Sequence, residues 1–321
     1  MRFASPIELR RRGVLGINQR NARYLYTLNP RARLPQVDDK LVTRDILAGA
    51  KVSTPELYTA VAASHEIPAA VERMKEVGRF VIKPARGSGG RGILVIDGAR
   101  TDRRGHTRFQ KSSGKLIPEA VMRHHLDNVL SGLYSLRGSR DRVIVEELLV
   151  PDPIFDDIRW QGVPDIRVLV HRGYPVMAML RLPTASSDGK ANLHQGAVGV
   201  GIDIASGTLT GGVQYNAPVE EHPDTLKSFE GRRLADWTNH LFQAARCFDL
   251  TGLGYLGVDL VLEESKGPMI LEINARPGLG IQIANDAGLE ERLTMADGWP
   301  GEAEDPRARV GRACRAFGGA Q

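Results

Sequence analysis

The chain has 321 residues, 42% apolar and 25% charged, enough to bury a sizeable core in one large domain or two closely associated ones. That balance excludes a disordered chain, and no apolar run approaches the roughly 18 residues a membrane-spanning helix needs. The net charge is a modest +5, and the two cysteines, Cys247 and Cys314, lie far apart without CxxC spacing, so they supply neither a disulfide framework nor a thiolate zinc site.

Arg10, Arg11, Arg12, Arg20, Arg23, Arg31 and Arg33 crowd one short N-terminal segment, while acids collect between Glu290 and Asp305. The apolar stretch after Arg12 is too short for a signal-peptide core, so a cytoplasmic, reducing setting is expected. Zinc-finger spacing, RNP-like aromatics and a heptad-linked basic helix are all missing, and the arginines read as a solvated, ion-paired face rather than a nucleic-acid surface. Residues 40–50 predict a helix, stopped by Ser53, Thr54 and Pro55. An apolar strand over 80–83 enters a glycine-rich stretch over 85–92, and a second strand over 93–96 completes a hairpin. A helix follows over 117–133 with Leu126, Val129, Leu130 and Leu133 on one side, then a buried strand over 142–149. Further on, strands over 165–170 and 175–182 flank Arg172, Gly173 and Tyr174, a helix covers 230–248, and strands over 257–263 and 268–274 form a last hairpin. Weak periodicity beyond residue 286 predicts little compact order there. The expected divisions are a basic segment over 1–38, α+β sub-domains over 39–150 and 151–285, and a tail over 286–321.

Chemistry concentrates in three places. Glu272 and Asn274 share a strand face, and a turn centred between Ser265 and Lys266 would set Asp259 opposite Glu272. Three oxygen donors there suit magnesium with substrate phosphates, the alternative being polar residues on a wet sheet face. The stretch Gly87, Ser88, Gly89, Gly90, Arg91, Gly92 spells GxGxxG, but a strand follows it where a dinucleotide fingerprint requires a helix, and the kinase and Walker sets are absent. It reads as a hairpin loop able to cover phosphates, helped by Lys83 and Arg86; a lysine ending an apolar strand calls for an anion. The alternative is a mobile turn without ligand. Asp165, Arg167 and Arg181 fall on one face of the middle hairpin, as an oxyanion site or a cross-strand salt bridge.

In order along residues 38–285, Asp39-Lys40, VIKPARGSGGRGI from Val81, VEELL from Val145, DIRVLV from Asp165, ANLHQGA from Ala191, GVDLVL from Gly257 and LEINARPGLG from Leu271 resemble the ATP-grasp superfamily. They are most similar to the ribosomal-protein glutamate ligase group and its alpha-L-glutamate ligase-related members. The resemblance implies an α+β ATP-grasp fold, two sub-domains clamping ATP, with the usual N-terminal substrate domain missing or much reduced. It implies that Lys40, Lys83 and Arg86 meet the ATP phosphates under Gly87, Ser88, Gly89, Gly90 and Gly92. Glu146, Glu147, Leu148 and Leu149 would receive adenine and Asp165 the ribose. Asp259, Glu272 and Asn274 would hold Mg2+, two ions with Mn2+ able to substitute, and Arg167, Arg181 and Asn192 would surround the transferred phosphoryl group. Arg276, where the glutamate ligases tend to have a small residue, would hold an acidic substrate, and Gln195 stands in place of a basic residue.

The implied activity is carboxylate–amine ligation through an acyl phosphate, with glutamate a candidate acid and an amino acid, peptide or protein as amine. The alternatives are an ATP-grasp kinase acting on a hydroxyl and a non-catalytic nucleotide-binding protein. Self-association, with a second subunit completing the substrate cleft, is a further expectation.

Overall fold

Apolar runs between polar turns form thirteen β-strands among the described residues, all in antiparallel pairs, divided between two sheets. The computed structural model describes residues 5–87, 89–103, 105–135 and 138–319. The chain divides into two units, one of residues 39–41 and 54–150, the other of residues up to 38, 42–53 and from 151 onward. The segment over 42–53 therefore belongs with the later half of the chain, and neither the N-terminal segment nor the tail is a separate body.

In the first unit, β1 (Leu57–Val61), β2 (Phe80–Pro84), β3 (Leu94–Thr101), β4 (Thr107–Lys111), β5 (Leu116–Pro118) and β6 (Val143–Glu146) run in the order β1-β6-β2-β3-β4-β5. Helices Ile67–Val77 and Glu119–Leu130 bury Val71, Met74, Met122 and Leu126 with Phe80, Ile82 and Phe109 of the sheet. The second helix is shorter than expected at both ends. Pro118 caps it in an extended conformation, leaving Ile117 in β5, and Gly132 at φ +86° turns the chain so that Leu133 is 62% exposed.

In the second unit, β7 (Asp165–His171), β8 (Tyr174–Leu182), β9 (Val198–Ile202), β10 (Leu209–Gln214), β11 (Ala217–Val219), β12 (Tyr255–Glu263) and β13 (Gly267–Asn274) run in the order β11-β10-β9-β8-β7-β12-β13. Helix Trp237–Thr251 packs on this sheet and starts later than expected, because Gly231 and Asp236 take φ of +76° and +50° and turn the chain before it. The expectation of little order beyond residue 286 is corrected. Helix Glu290–Asp297 buries Leu293 and Ala296, and helix Pro306–Phe317, capped by Asp305, buries Arg309, Val310, Ala313 and Phe317. Its buried stripe sets Arg309 and Ala313 beside Val310 and Phe317, so hydropathy registers only part of it. The N-terminal arginines and the late acids meet inside this unit: Arg23 pairs with Asp297 at 3.3 Å, and Gln19 donates to Glu290 at 2.7 Å. Both cysteines are free, and no helix among the described residues is long and apolar enough to cross a membrane.

Two hairpins position the polar residues, each by a route the turn residues alone do not reveal. In β12–β13, Glu263 pairs with Gly267 around Glu264, Ser265 and Lys266, one residue out of the expected register; a bulge at Leu271 then restores it, so Asp259 pairs with Glu272. In β7–β8, His171 pairs with Tyr174 across Arg172 and Gly173, whose φ of +49° and +86° make a tight primed turn. A bulge at Val176 compensates, and Asp165 pairs with Arg181.

Candidate functional site

In the first unit the glycine loop joins β2 to β3 and is fastened at both ends. At its start, Lys40 Nζ donates to the Gly87 carbonyl at 3.0 Å, Arg86 Nε donates to Asp39 at 3.0 Å, and the Arg86 amide donates to both oxygens of Asp141 at 3.1 Å. Gly87 also bridges to Ser135, whose hydroxyl donates to Asp141. At its end, His125 Nε2 lies 3.1 Å from the Gly92 carbonyl, and Gly92 at φ +75° sits so close to Tyr134 that a Cβ would come within 2.6 Å of the ring. Gly89 and Gly90 take φ of +65° and +74°, a backbone that glycine adopts without strain. Ser88 lies outside the described residues.

Lys83 is buried at the end of β2, and the anion that answers it is Glu146, at 2.5 Å. Of the expected adenine stretch, Glu147 is tied to Glu56 by two hydrogen bonds, Glu147 N to the Glu56 carbonyl at 2.9 Å and Glu56 N to Glu147 Oε2 at 3.2 Å. Leu148 is half-buried and Leu149 is buried.

The second unit carries a charged row across β8, β7, β12 and β13. Arg167 makes a two-bond fork on Asp259, Nε to Oδ1 and Nη2 to Oδ2, both at 2.7 Å. Arg181 Nη2 lies 2.7 Å from Asp165 Oδ2 and 2.9 Å from Asp259 Oδ2, and its Nε donates to Asp165 Oδ1. Asn274 Nδ2 donates to Asp259 Oδ2 at 3.1 Å, and Glu272 faces Asp259 across the hairpin. The side chains of Asp165, Arg167, Arg181 and Asp259 are 11%, 14%, 11% and 5% exposed, so these ion pairs form where water screens them little. Burial works to raise the pKa of Asp259, but Arg167 and Arg181 outweigh it and hold that carboxyl below the usual range. Asp165 goes the other way, up to about 6, because burial and the neighbouring Asp259 charge outweigh the guanidiniums of Arg181 and, more weakly, Arg167.

Asp165 is thus engaged at both oxygens by Arg181, the cross-strand salt bridge that was the alternative to an oxyanion site on this face. Asn192 caps the turn over Leu193–Gln195 by accepting from the His194 amide at 3.0 Å. Arg276 pairs with Asp38 at 2.9 Å. Sequence reasoning passed over Asp39 as a functional group: it is buried and holds both Arg86 and Arg142, the latter at 2.7 Å. Its place directly before Lys40 was the available signal.

The donor set near Asp259 fits magnesium. Two carboxylates and a carboxamide leave room for water and phosphate oxygens, whereas no cluster of three His, Cys, Asp or Glu side chains, as a closed site would need, is found among the described residues.

Two α+β units, one carrying a glycine hairpin beside a buried lysine and the other an Asp, Glu and Asn set on a hairpin, agree with the ATP-grasp resemblance. The model of the sugar-transfer associated ATP-grasp family matches residues 19–297, and the chain belongs to that family. It is 21% identical over 284 residues to a Syntrophotalea carbinolica protein named probable alpha-L-glutamate ligase, covering 88% of this chain and 70% of that one. Among solved structures it is similar to the ATP-grasp ligase PsnB complexed with a phosphomimetic variant of minimal precursor, Mg and ADP, at 16% identity and a TM-score of 0.45, covering 88% of this chain and 61% of that chain. It is also similar to D-alanine–D-alanine ligase from Bacillus anthracis complexed with ATP, at 13% identity and a TM-score of 0.45, covering 89% and 70%. The chain spans less than two thirds of the length of that PsnB chain.

Proposed function

We propose that the protein is an ATP-dependent carboxylate–amine ligase that forms an amide through an acyl phosphate. The observation that carries this reading is the pairing of Asp259 with Glu272 beside Asn274, Arg167 and Arg181, a set of hard oxygen donors and guanidiniums on one charged row. In this reading Asp259, Glu272 and Asn274 hold Mg2+, two ions with Mn2+ able to substitute, whose charge offsets that of the phosphates. Lys40, Lys83 and Arg86, with the backbone of Gly87, Gly89, Gly90 and Gly92, hold the ATP phosphates, and Glu146, Glu147, Leu148 and Leu149 meet the adenine.

Arg167 and Arg181 bind oxyanions in pairs and neutralise charge that spreads over the transferring oxygens. A substrate carboxylate oxygen bonds to the γ-phosphorus as the bond to the ADP oxygen breaks. The amine lone pair then attacks the acyl carbon, the carbon–oxygen bond to phosphate breaks, and the nitrogen loses a proton, leaving amide, ADP and phosphate. Activation is needed because a carboxylate oxygen leaves poorly and phosphate leaves well. Arg276 is assigned to an acidic substrate, and the name of the Syntrophotalea carbinolica relative supports glutamate as the acid; the amine belongs to an amino acid, peptide or protein.

The test is a hydroxylamine trap with Mg-ATP and a panel of amino acids and small carboxylic acids. Hydroxamate and ADP appearing together with one acid are expected. ADP with a stable phosphorylated product and no hydroxamate would make the protein a kinase and overturn the reading.

A further inference from the structure

The carboxylate assigned to the metal is saturated by hydrogen-bond donors of the protein itself, two of them guanidiniums. Asp259 Oδ2 meets three nitrogens, Arg167 Nη2 at 2.7 Å, Arg181 Nη2 at 2.9 Å and Asn274 Nδ2 at 3.1 Å, while Oδ1 accepts from Arg167 Nε at 2.7 Å. A carboxylate oxygen offers two lone pairs, and a magnesium ion needs one of them at a distance of about 2.1 Å. An arriving dication also sets its charge against both guanidiniums at close range and in a site that water screens little.

The two arginines are not placed alike for that event. Arg181 has a second anchor, since its Nε and Nη2 bonds to Asp165 remain when Asp259 is taken. Arg167 makes no other ion pair among the described residues. We infer that divalent metal displaces Arg167 from Asp259, freeing its guanidinium for a phosphoryl or carboxylate oxyanion, while Asp165 acts as a positioning residue that keeps Arg181 in place. This rests on the metal role assigned to Asp259, Glu272 and Asn274. It makes oxyanion capture by Arg167 conditional on the metal, because without it the guanidinium is spent on an internal carboxylate.

The exchange is read by Mn2+ binding to the whole protein without nucleotide, followed by electron paramagnetic resonance, which does not depend on turnover. Removing the competing fork in Arg167→Gln tightens Mn2+ binding by about tenfold, and Asp165→Asn, which leaves Arg181 with Asp259 alone, weakens it by a similar factor. If Arg167→Gln does not fold by circular dichroism, Arg167→Lys replaces it; a lysine keeps the charge without the fork and shifts affinity the same way by a smaller factor. Unchanged or weaker Mn2+ binding in the folded Arg167 variant overturns the exchange while the metal site stands, provided wild-type binding is lost in Glu272→Gln. Wild-type protein that shows no Glu272-dependent Mn2+ signal overturns both.

Discussion

Lys83 and Glu146 form a buried ion pair at 2.5 Å across neighbouring strands β2 and β6. The pair balances a lysine that ends an apolar strand, and it places the proposed phosphate ligand against the residue proposed to meet adenine. Glu146→Gln removes the compensating charge and is expected to destabilise the protein by about 3–5 kcal/mol, whereas Lys83→Met with Glu146→Leu restores most of that loss. Urea unfolding of the single and double variants decides it; a double variant no better than the single would show that the pair is not what the fold depends on.

Asp39 sets an acid limit on the first unit. Burial alone would raise its pKa, and the hydrogen bonds and charges of Arg142 and Arg86 more than reverse this, holding the carboxyl below its ordinary value. A depressed folded-state pKa contributes stability above the unfolded value, about pH 4, and that contribution is lost as pH falls through the folded value. Asp39→Asn is therefore less stable than wild type by a constant margin between about pH 6 and 8, and the margin closes below about pH 4. A margin of the same size at pH 3 would count against this account.

Gly173 cannot carry a side chain. Its φ is +86°, and a Cβ would lie 2.4 Å from Nη1 of Arg309, a fully buried guanidinium that donates to Asp249 and stands over the Phe248 ring at 5.1 Å. Gly173→Ala is expected to cost about 1–3 kcal/mol by adding left-handed strain to displacement of the C-terminal helix from the β7–β8 turn. Thermal unfolding measures it, and an unchanged midpoint would refute it.

Glu272 is predicted to couple stability to magnesium. Wild type with Mg-ADP at one hundred times its dissociation constant gains about 2.7 kcal/mol over its own unliganded form, and Glu272→Gln loses most of that ligand-dependent gain. Equal stabilisation of both proteins in a thermal shift assay would remove Glu272 from the metal site.

Arg276 pairs with Asp38 on a half-exposed surface, where an ion pair contributes about 0–1 kcal/mol. Arg276→Ala should therefore leave stability nearly intact and raise the KM for the acid more than it weakens ATP binding. Equal losses in both would sink the assignment.

Much of the site was legible because it is written locally. Alternation places Glu272 with Asn274 and Asp165 with Arg167 on common strand faces, and a glycine run between two apolar strands is a hairpin whatever surrounds it. The cross-strand pairings of Asp259 with Glu272 and of Asp165 with Arg181 were also anticipated, although each holds only because a bulge at Leu271 or Val176 offsets a turn of different length.

The sequence by itself determined the α+β class, the strands that carry the polar residues and the chemistry those residues can offer. Only the tertiary structure decided which charges neutralise which. Lys83 takes Glu146, Asp39 takes Arg86 and Arg142, Asp259 takes two arginines, and Asp165 lies beneath one of them. Those choices depend on which strands become neighbours and on how little water reaches them, and neither is encoded in the spacing of residues along one strand. The same holds for helix Pro306–Phe317, whose burial of Arg309 depends on the turn and ring packed against it rather than on its own hydropathy.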